Sequence, residues 1–108
     1  MAEAAGTLLE IDRRRIESAL RERVRYRYVR PKVLRDEDAW RIVSPCCSRN
    51  IDPTGGIIDV ALLRFDPPEW RLYARDHAAR KWIEAERSPR IRDLLDAVCL
   101  DPQRVFWP

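Results

Sequence analysis

The alternation of apolar and polar residues is densest in one short stretch, residues 57–65, which has the sequence IIDVALLRF. Apolar side chains occupy both of its alternating faces, and two glycines precede it. Such a run, rich in β-branched residues, is typical of a central strand covered on both sides. The exception is Asp59, on the same face as Ala61 and Leu63. Because an isolated buried charge is costly, we expect Asp59 to face a cation, with Arg49 as first choice, or water.

The remaining periodicities predict two helices and four further strands. Apolar residues at helical spacing predict a helix from about residue 8 to about residue 24, begun by a capping box of Thr7 and Glu10. A second helix has Ser88 as its predicted N-cap and ends before Asp101. Alternating patterns predict the other strands at residues 26–35, 40–44, 70–75 and 81–85. Pro31 makes the first of these an edge strand or a bulged strand.

The order of elements predicts the fold. Every connection is short except residues 44–56, and short links favour antiparallel pairing of successive strands. Two amphipathic helices suffice to cover one face of a sheet. We therefore predict an α+β fold, an antiparallel sheet of about five strands in meander order with an N-terminal helix and a C-terminal helix. At 108 residues the chain is expected to form one domain, residues 1–108, with residues 1–6 disordered.

The composition is that of an ordinary globular domain, with 45% hydrophobic and 36% charged residues. No apolar run approaches the roughly 20 residues that span a bilayer, so a membrane is not an expected partner. The N-terminal residues lack the pattern of a secretory leader. Three cysteines, two of them adjacent, do not make a disulfide framework, which fits a reducing compartment. We therefore expect a cytoplasmic location.

The charge is distributed unevenly, because residues 13–35 contain ten lysines and arginines but two acids. Aromatic residues alternate with cations there, a mixture that binds single-stranded nucleic acid by stacking and charge. The candidate residues for such binding are Arg25, Tyr26, Arg27, Tyr28 and Arg30. The alternative is structural: the acidic remainder of the fold neutralises the segment, and the tyrosines pack beneath the first helix.

A metal site is not expected, although four residues of the right types are present. They are Cys46, Cys47, His77 and Cys99. Structural zinc requires two cysteines separated by two to four residues, so that a turn points both thiolates at one ion. Adjacent cysteines in an extended chain point apart. We therefore predict no metal and no cofactor.

The long loop, SPCCSRNIDPTGG, is the remaining place for chemistry. A thiolate there could act as a nucleophile with His77 as base, but no third residue that would orient the imidazole is identifiable. The loop also offers donors around Arg49 that could hold a small anion, while turn formation and pairing with Asp59 explain the same residues structurally. The candidate binding residues are Cys46, Cys47, Ser48, Arg49, Asn50, Asp59 and His77.

Two motifs in the second half resemble a known family. WRLYARDHAARKW at residues 70–82, a helix, and DPQRVFWP at residues 101–108 resemble a family of short bacterial proteins catalogued as domain of unknown function 3024. The resemblance covers roughly residues 24–108. The Cys-Cys loop, and Trp82-Ile83 in place of a Trp-His pair, depart from the family pattern and indicate a divergent branch. The resemblance supports the fold and implies no activity, cofactor or catalytic residue.

These observations favour a small non-catalytic binding or interaction domain of a bacterial cytoplasmic protein. Its expected partner is another protein or a second copy of the chain. Nucleic-acid binding through residues 13–35 is the alternative. A thiol-dependent enzyme or an anion-binding site at the Cys46-Cys47 loop is the second alternative.

Overall fold

The computed structural model describes residues 9–24, 29–45 and 56–107. Its elements are α1 Glu10–Leu20, β1 Lys32–Asp36, β2 Ala39–Pro45, β3 Ile57–Asp66, β4 Glu69–Asp76, β5 Lys81–Ser88 and α2 Ile91–Leu100. All successive strands pair antiparallel, and the sheet order is β1-β2-β3-β4-β5. The predicted α+β meander with a helix at each end is confirmed.

Both helices pack on one face of the sheet. Ile16 of α1 and Leu94 of α2 are fully buried in one cluster with strand residues such as Trp40, Leu63 and Leu72. Within the described ranges, no helix or strand covers the opposite face. Leu62 lies on that opposite face and is nevertheless 5% exposed, so β3 is buried on both faces at its centre. That β3 is covered on both sides along its length stays a prediction.

A β-bulge in β3 changes which side chains face the helices. Ile42 pairs with Ala61 while Val43 pairs with Asp59, so Val60 is an extra residue on β3. Val60 and Ala61 are consecutive, and both belong to the buried cluster. The bulge thereby places Asp59 on the face opposite the helices. The prediction that Asp59 shares the face of Ala61 is wrong for this reason.

Helix α1 and strand β1 are both shorter than the periodicity predicts. Helix α1 begins after Leu9, whose side chain makes no capping hydrogen bond, and it ends at Leu20 rather than near residue 24. Thr7 of the predicted capping box lies outside the described residues. Strand β1 begins at Lys32, directly after Pro31. The imino acid cannot donate to a ladder, so the paired strand starts beyond it.

Helix α2 begins two residues later than predicted. Ser88 is the last residue of β5, and the N-cap is Arg90. The Ser88 hydroxyl accepts a hydrogen bond from the Arg90 amide at 3.1 Å and donates one to the Asp93 carboxylate at 2.7 Å. Ser88 therefore anchors the turn into α2 without being its N-cap.

The chain after α2 is held by one buried carboxylate. Asp101 is 1% exposed and adopts the left-handed conformation that ends the helix, with φ of 37°. Its two oxygens accept hydrogen bonds from the backbone amides of Val105, Phe106 and Trp107 at 2.7–3.2 Å. The Trp107 indole then donates to the carbonyl of Val98 at 2.9 Å. The Asp-Pro and Phe-Trp elements of the terminal motif are therefore structural, because they fix the tail to the core.

Candidate binding face of the sheet

The side of the sheet that no described helix or strand covers, called the open face below, carries charged and aromatic side chains on four adjacent strands. Its principal residues are Arg41, Asp59, Arg64, Arg71, Tyr73, Arg75, Trp82, Glu84 and Arg87. The strand register brings them together: Arg41 pairs with Leu62, which pairs with Tyr73, which pairs with Glu84. Apart from the bulges at Val60 on β3 and Ala85 on β5, successive residues alternate between this face and the face that the helices cover.

Asp59 lies between two arginines on the open face. Arg41 Nη1 is 2.9 Å from Asp59 Oδ1, and Arg75 Nε is 3.6 Å from Asp59 Oδ2. The carboxylate is 20% exposed, so the charge is substantially desolvated and needs both partners. The expectation that Asp59 faces a cation agrees with these pairs, while Arg49, the predicted partner, lies outside the described residues.

Two aromatic rings of the open face each have an arginine guanidinium stacked over them. The guanidinium carbon of Arg75 is 5.1 Å from the centroid of the Trp82 ring, and that of Arg64 is 5.5 Å from the centroid of Tyr73. Cation–π attraction at this range holds the planar guanidinium groups against the rings. The arginines are therefore positioned by rings as well as by carboxylates.

A second group of ion pairs surrounds Arg71. Its guanidinium is 3.3 Å from Asp66 and 3.4 Å from Glu84, and Arg87 is 2.8 Å from Glu84. Desolvation lowers the pKa of Arg71, but its hydrogen bond with Tyr73 and the nearby carboxylates outweigh this effect, so the pKa is raised. Arg71 consequently remains a cation at any physiological pH.

The charges that form ion pairs on the open face balance. Its arginines contact five carboxylates, on Asp36, Asp38, Asp59, Asp66 and Glu84. Five arginines, at positions 41, 64, 71, 75 and 87, provide the positive charge. The face is therefore a zwitterionic surface rather than a uniformly basic one, and each arginine has a fixed neighbour of opposite charge.

His77 lies in the β4–β5 turn beside this cluster. Burial lowers its pKa below the ordinary value of 6.5, and the charge of Arg75 lowers it further, while Asp59 and Asp76 oppose the shift. The imidazole is therefore neutral at pH 7. The pair of Pro45, the last residue of β2, and Ile57, the first residue of β3, lies at the same end of the sheet as this turn.

The structure places two of the seven candidate residues predicted around the long loop. Asp59 and His77 lie at the same end of the sheet and interact electrostatically. The others, Cys46, Cys47, Ser48, Arg49 and Asn50, lie outside the described residues. Whether the predicted site assembles therefore stays a prediction.

The basic segment includes two arginines with structural roles. Arg23 is buried, donates from Nη1 to the Leu20 carbonyl at 2.7 Å and from Nη2 to the Val29 carbonyl, and lies 5.2 Å from the Trp107 ring centroid. Arg13 lies 4.9 Å from the centroid of buried Trp40. These contacts support the structural alternative for part of residues 13–35.

Exposed cations of that segment border a groove of about 530 Å³ at the end of α1. Arg21, Arg23 and Arg30 line this groove, and Glu17 is the acidic residue of its lining. The predicted nucleic-acid residues Arg25, Tyr26, Arg27 and Tyr28 lie outside the described residues. Arg30 is exposed at the mouth of this groove.

Cys99 is structural, since its thiol is buried against α1. Sγ donates to the Ala19 carbonyl at 3.3 Å, and burial raises the pKa of the thiol to about 11. The described residues contain no cluster of three or more side chains arranged to hold a metal ion. Among the same residues, neither helix has the length and apolar character that crossing a membrane requires.

Sequence reasoning missed the arginines of the open face. Arg41, Arg64, Arg71 and Arg75 alternate with buried residues, which is also the pattern of any solvent-exposed strand face. A signal was nevertheless present, because WRLYARD places Tyr73 between two arginines on one side of a strand. The bulge at Val60, which brings Asp59 to the same face, has no comparable signal.

The fold and the open face define a small α+β domain with one helix-covered sheet face and one charged face that no described helix or strand covers. Over residues 5–108 the chain matches the model of a family described as "Domain of unknown function (DUF3024)", and it belongs to this family. This confirms the family resemblance and extends it toward the N-terminus. No curated protein and no solved structure matches the chain significantly.

Proposed function

We propose that the protein is a non-catalytic binding domain whose open face docks onto another protein. The observation that carries the proposal is the array of five partly exposed arginines with Tyr73 and Trp82 on the open face. Arginine, tyrosine and tryptophan are the residues that contribute most binding energy at protein interfaces. The resemblance to short bacterial proteins and the cysteine content support a place in a bacterial cytoplasm.

The charge balance of the open face favours a protein over a polyanion. A phosphate approaching Arg41 or Arg71 would also meet the carboxylates of Asp59, Asp66 and Glu84. A protein surface of mixed charge can satisfy both signs, and like-charge contacts would exclude unsuitable partners. The pairs also hold the arginines in place before binding, which reduces the side-chain entropy lost on docking.

Contact mapping in the native cell tests this proposal. A photo-crosslinking amino acid is introduced in place of Tyr73 on the open face, or in place of Gln103, which is exposed on the C-terminal tail. We expect a discrete protein adduct from position 73 that position 103 does not form, and Arg64→Ala should diminish it. Equal adducts from both positions, or no adduct from position 73, would refute docking through this face.

Nucleic-acid binding is the second candidate, supported by the basic groove beside Arg21 and Arg30. Fluorescence anisotropy with labelled single strands of about 20 nucleotides at about 50 mM salt tests it directly. If Arg21 and Arg30 each contact a phosphate, replacing both with Gln should flatten the slope of log K against log salt by about 1.4.

The control for this measurement is Arg14→Gln with Arg104→Gln, which removes the same charge from exposed positions outside this groove. No binding by the native protein at low salt would exclude the nucleic-acid function. Equal losses in the groove variant and the control would show that net charge, and not the groove, is responsible.

A further inference from the structure

Helices α1 and α2 leave a groove of about 780 Å³ on the outer side of the helical layer. Ala19, Leu95 and Cys99 are among the residues that line it, and all three belong to the apolar core or pack against it. The walls carry charged side chains. An apolar groove with charged walls suits a protein segment.

The two helices run in the same direction along this groove. Their C-terminal ends lie together, since the Val24 amide donates to the Cys99 carbonyl at 2.9 Å and Cys99 Sγ reaches the Ala19 carbonyl. Both helices line the same groove, so their N-terminal ends lie together at its other end.

Charge is segregated along the groove. On α1, Arg15 precedes Glu22, and on α2, Arg92 precedes Asp96. One end of the groove is therefore basic and the other acidic. Among the described residues, Glu22, Asp96 and Arg92 form no ion pair, and all three are exposed.

One exposed large apolar residue lines the groove, and another lies on α1 just beyond the lining residues. Ile11 lies one turn before Arg15 on the same side of α1 and is 54% exposed. Leu100 lines the opposite end, on α2, and is 58% exposed. Large apolar side chains with this exposure in and beside an apolar groove mark it as an interaction surface.

We propose that the occupant of the groove is a second copy of this chain, packed antiparallel about a two-fold axis. A two-fold axis across the groove places the basic end of one protomer over the acidic end of the other. The same rotation brings Ile11 next to the partner's Leu100, and this contact occurs twice. The surface is self-complementary in charge and in apolar contacts, and it lies on the opposite side of the protein from the open face.

Complementing variants test the dimer. Each apolar contact occurs twice, so Ile11→Glu or Leu100→Arg alone should raise the dissociation constant of the dimer at least about tenfold. When the two variants are mixed, the acidic side chain at position 11 faces the basic one at the partner's position 100, and the second contact remains apolar. The mixture should therefore form a heterodimer. Sedimentation velocity over a concentration series measures all of these species.

The control is Ile83→Glu, the same substitution at a 47%-exposed isoleucine on β5, which should leave the dimer unchanged. Because the mutated residues are exposed, all variants should keep the native circular dichroism spectrum. A native protein that stays monomeric at about 0.2 mM would overturn the proposal. So would a dimer abolished by Ile83→Glu but retained in Ile11→Glu, or single variants that weaken association without recovery on mixing.

Discussion

Arg41 and Asp59 form an ion pair on the open face, although they are not register partners. Asp59 pairs with Val43 and Arg41 pairs with Leu62, yet Arg41 Nη1 lies 2.9 Å from Asp59 Oδ1. The extra residue Val60 makes the pair possible, because it shifts Asp59 to the face that Arg41 occupies. One bulge thus converts a carboxylate that would face the helices into a member of a charged network.

Replacing Asp59 with asparagine should destabilise the protein by about 1–2 kcal/mol. The substitution preserves shape but removes the negative charge between Arg41 and Arg75, whose side chains are 35% and 21% exposed. Urea unfolding followed by circular dichroism measures the change. Asp38→Asn is the matched control, since that carboxylate is 45% exposed and contacts Arg64 alone at 3.5 Å; it should cost less than about 0.5 kcal/mol. Equal effects would show that Asp59 has no special role.

The sequence was sufficient for the elements and their order, because each periodicity reports a local property. Alternation over residues 70–75 and helical spacing from Ile91 to Val98 follow from which side chains are buried, and the structure has a strand and a helix there. Short connections then restrict the topology to a meander. The predicted ends of the elements were less accurate. Ser88, for example, is a residue suited to N-capping, but its hydroxyl stabilises the turn before α2.

The open face could not be predicted to the same extent, because its pairs depend on register between strands. Arg71 contacts Glu84 thirteen positions later, and Arg41 contacts Asp59 eighteen positions later. A one-residue shift in the register of the paired strands would separate the two residues of each ion pair. The bulge at Val60 introduces such a shift, although no glycine or other local feature of the sequence indicates it. Hydrophobic patterns describe burial, whereas the neighbours of an exposed charge are set by the assembled sheet.

Asp101→Asn should destabilise the protein by about 3 kcal/mol. Asparagine tolerates the left-handed backbone at this position, so the substitution tests the carboxylate rather than the conformation. The new amide group can accept through one oxygen only, which leaves at least one of the Val105, Phe106 and Trp107 amides without its partner.

The Asp101 measurement combines urea unfolding with hydrogen exchange of the amides of residues 105–107. Those amides should lose protection, whereas the strand amides change only as far as global stability falls. Asp38→Asn serves as the exposed control. A loss below about 1 kcal/mol would mean that the terminal motif is not held by this carboxylate.

The pKa of His77 should lie below 6.5, chiefly because burial disfavours its charged form. The chain has one histidine, so a single imidazole signal in an NMR titration reports it. Arg75→Gln should raise this pKa by removing a neighbouring cation, and Asp59→Asn should lower it by removing an anion. A value at or above 6.5 would contradict the buried position of the ring beside Arg75.

The lowered pKa of His77 also makes the free energy of unfolding depend on pH. Because the folded pKa of His77 is lowered, the unfolded chain binds the proton more tightly. The resulting stability is fully present above the unfolded pKa of about 6.5 and is lost as the pH falls toward the folded pKa. Between about pH 8 and pH 5, His77→Gln should therefore lose less stability than the native protein. Identical pH profiles in urea unfolding would rule out a contribution from His77.

Cys99 should resist alkylation in the folded protein. Raising the pKa of its thiol from 9.0 to about 11 lowers the thiolate fraction at pH 8 about a hundredfold, and burial against Ala19 blocks access as well. Iodoacetamide labelling followed by peptide mass spectrometry measures Cys99, Cys46 and Cys47 in one experiment. Labelling of Cys99 in urea at the rate of a free thiol is the control. Rapid labelling of folded Cys99 would contradict its structural role, while a Cys46 or Cys47 that reacts faster than a free thiol would support thiol chemistry in the long loop.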